Sequence, residues 1–120
     1  MAMFAIALPL LPGKTEAWRG FIKELQTTKK ADFDASRQRL GVRERTFLQP
    51  TPMGDFVVVT LEGDDPAHAF ATFGQGTDAF STWFKAHVLD VHGVDLASPP
   101  PGPMPEQVLD SGPPKAATGR

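Results

Sequence analysis

The chain has no cysteine and no tyrosine. Without cysteine there is no disulfide, no thiolate metal site and no cysteine nucleophile, and the composition fits a reducing cytoplasm. Positive charge is also scarce: 12 Lys and Arg stand against 14 Asp and Glu, a formal net charge of −2. That balance supplies no basic surface of the kind a nucleic-acid partner requires. Long apolar runs are missing too. The N-terminal stretch 1–11 is apolar, but no Lys or Arg precedes it and Pro9 and Pro12 interrupt it. It therefore reads as a first strand rather than a signal peptide, and it falls well short of the ~18 apolar residues of a membrane helix. The expectation is a soluble, cytoplasmic protein without a membrane or nucleic-acid partner.

What is present is a clear order of patterned segments. Met3-Phe4-Ala5-Ile6-Ala7-Leu8 alternates and is apolar on both faces, which predicts a central first strand covered on both sides. A helix from about Lys14 follows, with Trp18, Phe21, Ile22 and Leu25 at i, i+3, i+4 and i+7. The stretch 32–40 suits a further helix carrying Phe33, Arg37 and Leu40, with Gly41 as its stop. Two strands, 42–49 and 55–62, flank the turn residues Pro50-Thr51-Pro52-Met53-Gly54. A helical region over 66–91 is opened by the N-cap Asp65 before Pro66 and is split at Gly74-Gln75-Gly76.

This β-α-β-β-α order predicts an α+β fold, a ferredoxin-like split βαβ with an antiparallel sheet. One domain covers 1–96. Residues 97–120 form a proline-rich tail holding seven of the 12 prolines, expected to be an extended spacer. Within it, 107–110 is the candidate for a short last strand, and 111–120 reads as disordered.

In the third strand Val57, Val59 and Leu61 share the helix-facing side, while Phe56, Val58, Thr60 and Glu62 face away. The second face is too apolar to be left in water. It calls for a partner subunit or for a sheet that curls around a cavity, and both favour a homodimer.

The stretch from Arg43 to Lys85 resembles the dimeric α+β-barrel superfamily, with the antibiotic-biosynthesis-monooxygenase type of small domain as its nearest likeness. The features that carry it are Pro12-Gly13-Lys14 before the first helix, Arg45-Thr46-Phe47-Leu48-Gln49-Pro50 leading into a hairpin, Val57-Val58-Val59-Thr60-Leu61-Glu62, and the aromatic Phe80, Trp83 and Phe84. The resemblance implies ferredoxin-like protomers whose sheets meet in a dimer. It also implies either a binding role or a cofactor-independent oxygenase or haem-handling activity. Monooxygenase-type members often carry a histidine on the second helix, where this chain has Phe73.

The candidate site residues follow from these faces. His87 lies in the Phe80, Trp83, Phe84, Val88, Val91 stripe and reads either as an acid–base residue or iron ligand, or as a core histidine satisfied by a neighbour. Arg45 could anchor an anionic substrate and Glu62 could act as base or anchor; the alternative for both is a cross-strand charge pair. An apolar pocket between sheet and helices, lined by Phe56, Val58, Thr60, Trp83, Phe84 and His87, is expected to bind a small apolar or aromatic molecule. A structural or interaction module with no catalysis is the third reading. His87 and His92 are five apart and His68 is remote, so the histidines make no metal motif. The residues point to no particular cofactor. His92 lies near a helix C-terminus, where a protonated imidazole would suit the dipole.

Overall fold

The computed structural model describes residues 2–100 and 102–113. Its elements run β1 (Ala2–Pro9), α1 (Thr15–Gln26), α2 (Lys30–Leu40), β2 (Val42–Gln49), β3 (Phe56–Gly63), α3 (Pro66–Gly74) and α4 (Ala79–His92). Glycine in the left-handed region closes α2 at Gly41 and α4 at Gly93. Asp65 caps α3 by accepting from the His68 amide at 3.1 Å, and Asp78 caps α4 by accepting from the Ser81 amide at 3.1 Å. The Ser81 hydroxyl also donates to Asp78 at 2.7 Å, and these bonds hold the Asp78 carboxyl below its usual range.

The sheet is antiparallel in the order β1-β3-β2. β1 and β2 therefore run parallel with β3 inserted between them, the split βαβ arrangement, and the fold is α+β as expected. Register sets the two faces. Phe4, Leu61 and Glu44 lie in one row, Ile6, Val59 and Thr46 in the next, and Leu8, Val57 and Leu48 in the third. These rows face the helices. The core between them is built from Trp18, Phe21 and Leu25 of α1, Phe73 of α3, and Phe80, Phe84, Val88 and Val91 of α4. The residues of α1 and of α4 recur at three- or four-residue spacing, so each of these two helices turns one apolar stripe to the core.

Two expectations are corrected. β1 is an edge strand with one exposed face, not a central strand covered on both sides, because among the described residues no strand pairs with its outer edge. The candidate last strand at 107–110 forms no strand, and Val108 and Leu109 are exposed. The expectation of disorder for 114–120 lies outside the described residues. Among the described residues no helix is long and apolar enough to cross a membrane.

Candidate functional site

Between the helix-facing rows of the sheet and the four helices lies a partly open cavity of about 70 Å³. Its walls are overwhelmingly apolar, with Ile6, Val57, Val59, Phe73, Phe84 and Val88 prominent. Thr46 belongs to the wall and is itself exposed, so the cavity reaches the surface at the β2 edge. Four polar side chains also line it: Arg37, Glu44, Thr46 and His92.

Arg37 and Glu44 form a buried ion pair. Arg37 Nε donates to Glu44 at 2.7 Å, and the two side chains are only 10% and 9% exposed. Arg37 Nη1 also donates to the buried Ser36 hydroxyl at 2.9 Å. The guanidinium lies 4.7, 4.5 and 4.9 Å from the ring centres of Phe33, Phe73 and Phe84, so aromatic faces take the place of water around the cation. Glu44 accepts a further, long bond from the Thr46 hydroxyl at 3.3 Å. Such a pair in an apolar wall is expensive to desolvate, and the opposite charge, the two hydroxyls and the three rings together offset that cost.

His92 closes the other part of the wall. The loop after β1 is tied down by Leu10 N–H to the Asp55 carbonyl and by Leu11 N–H to the Val91 carbonyl, both 2.9 Å. This brings the Pro9 carbonyl to the end of α4, where His92 Nδ1 donates to it at 2.8 Å. The imidazole is 6% exposed, and burial pushes its pKa below the ordinary 6.5 against the opposing pull of the Pro9 bond. Burial therefore works against the protonated form that the helix C-terminus would favour.

The expected site residues are not brought together. Phe84 lines the cavity. Phe56, Val58, Thr60, Glu62 and Arg45 occupy the opposite face of the sheet, where register pairs Thr60 with Ala5 and Arg45, and Val58 with Ala7 and Phe47. The three-stranded sheet therefore separates them from α4. Glu62 and Arg45 approach at 3.6 Å and are about a third exposed, the cross-strand pair foreseen as the alternative. Trp83 and His87 are half-buried over α1: His87 stacks on Phe21 with ring centres 5.1 Å apart, lies 4.6 Å from Trp83, and donates through Nδ1 to the Trp83 carbonyl at 3.0 Å. Neither residue is in the cavity wall.

Haem does not fit this cavity. Its volume of about 70 Å³ is far below the ~300–1,000 Å³ of pockets that take drug-sized ligands. Among the described residues no group of three His, Asp or Glu gathers as a metal site would require.

The three charged or titratable wall residues, Arg37, Glu44 and His92, had a signal in the sequence. Phe33, Arg37 and Leu40 share one helical side, and Glu44 shares strand parity with Val42 and Leu48. Opposite charges at two inward positions seven residues apart point to a buried pair. His92 continues the four-residue spacing of Phe84 and Val88. No family model, curated protein or solved structure matches the chain.

Proposed function

We propose that this chain is a small-molecule-binding domain, with its site in the cavity between sheet and helices, and that it acts as a homodimer of the α+β-barrel type. The observation that carries the binding reading is the coincidence of a void and a buried ion pair in one wall. Protein interiors are close-packed, with few voids larger than a water. A cavity of about 70 Å³ is an exception to that packing, and it leaves its wall residues short of contacts. The Arg37–Glu44 pair adds a desolvation cost at the same place. Two destabilising features side by side fit a site held open for an occupant. The volume limits that occupant to a small one, since a cavity of ~150 Å³ is what admits benzene.

The dimer reading rests on the other face of the sheet. There Met3, Ala5, Ala7, Phe47, Val58 and Phe56 lie in adjacent rows, and Met3 and Phe47 are 48% and 54% exposed. These apolar groups share the face with Thr60 and the Arg45–Glu62 pair, and a mixed face of this kind suits isologous pairing about a two-fold axis.

Native mass spectrometry of the freshly purified protein tests both parts. A dimer with a reproducible extra mass supports the reading. Val59→Phe, which fills the cavity wall, then removes the extra mass and keeps the dimer, whereas Phe47→Glu yields a folded monomer. A wild-type monomer sinks the dimer. Extra mass retained in Val59→Phe sinks the cavity as the site.

A further inference from the structure

We infer that His92 is the hydrogen-bond acceptor of the cavity, so that the molecule it takes is small, uncharged, mostly apolar and bears one N–H or O–H donor. The inference rests on the binding reading above and adds the ligand's chemistry to it.

The tautomer is fixed by the fold. Nδ1 donates to the Pro9 carbonyl at 2.8 Å, so in the neutral ring Nδ1 carries the hydrogen and Nε2 is a bare lone pair. Among the described residues Nε2 has no partner, although the residue is 94% buried by its 6% exposure and forms part of the cavity wall. A buried acceptor left unsatisfied carries a desolvation cost that a donor arriving in the cavity would remove. Burial disfavours the imidazolium, so the ring accepts rather than donates at Nε2.

Charge selects in the same direction. Arg37 is already neutralised by Glu44 and enclosed by three phenylalanine rings, so the wall offers no free cation for a carboxylate. A carboxylate facing Nε2 would set lone pair against lone pair. A cationic ligand would have to leave water for walls built mainly of Ile, Val, Leu and Phe. A neutral donor on an apolar frame meets all three conditions. The cavity's small volume, less than half of what admits benzene, confines that frame to about two or three heavy atoms.

Ethanol and dimethyl ether are the probes, since these isomers of three heavy atoms differ in the O–H. On the nitrogen-15-labelled protein, ethanol should bind about fivefold more tightly than dimethyl ether, the modest net gain of one hydrogen bond. Its binding should move the Nε2 resonance upfield while the ether leaves it in place. His92→Asn keeps a donor for the Pro9 carbonyl but has no atom at Nε2, so in that variant the preference for ethanol over the ether should disappear. Equal affinities in the wild type with an unmoved Nε2 overturn the inference and leave the cavity site standing. Binding by neither probe overturns both.

Discussion

Glu44→Gln should be among the most destabilising shape-conserving substitutions in this protein. The change removes a charge and almost nothing else. It leaves the Arg37 guanidinium, whose side chain is 10% exposed, without its counter-ion 2.7 Å away. Breaking one side of a buried pair costs ~3–5 kcal/mol, because the surviving charge stays desolvated. The three rings around Arg37 hold part of that cost down, each cation–π contact being worth ~0.5–2 kcal/mol. The expected loss is therefore at the low end, about 3 kcal/mol. With a urea slope of ~1.5 kcal/mol/M, the unfolding midpoint moves down by ~2 M. Fluorescence of the buried Trp18 reports the transition. The double variant Arg37→Met, Glu44→Leu removes both charges and should lie within ~1 kcal/mol of the wild type. A midpoint shift below ~0.5 M for Glu44→Gln would refute the buried-charge argument. So would a double variant that costs the sum of its two single changes.

Two further outcomes follow from particular contacts. The His92 pKa is held below 6.5 in the fold, so as pH falls the unfolded chain takes up the proton first. Stability is then full above about pH 6.5 and declines below it toward the folded-state pKa; urea midpoints from about pH 7 to 5 should show the slope, and His92→Asn should flatten it. Two glycines should answer oppositely to alanine in thermal melts. A Cβ at Gly63 would run into the Gly41 carbonyl, so Gly63→Ala should cost ~1–3 kcal/mol, whereas Gly20 in α1 has open space and Gly20→Ala should add ~0.5–1 kcal/mol.

Local physics made much of the fold legible. The Trp18, Phe21, Leu25 stripe, the Asp65 cap and the glycine stop at Gly41 all depend on residues within one or two turns of each other. Strand parity likewise assigned Val57, Val59 and Leu61 to the helices and Phe56, Val58 and Thr60 to the other face. The shared pocket expected for Phe56, Val58, Thr60, Trp83 and His87 needed the sheet to curl, and a three-stranded sheet in this register keeps its two faces apart. His87 illustrates the remaining difficulty. Its place in the α4 stripe was correct, but its ring is spent on the Trp83 carbonyl and on stacking with Phe21.

By itself, then, the sequence determined the order of the elements from β1 to α4 and the two faces of each strand, since these are set by backbone preference and by periodicity. Tertiary structure alone decided that β1 is an edge, because that depends on whether residues 107–110 reach it, a question of chain path rather than composition. It also decided which polar groups share the cavity. Arg37 meets Glu44 only because α2 turns back onto β2, and His92 meets Pro9 across 83 residues only because the loop after β1 is tied to α4. Contacts between segments as distant as Pro9 and His92 are fixed by packing, and no local pattern encodes which of them will close.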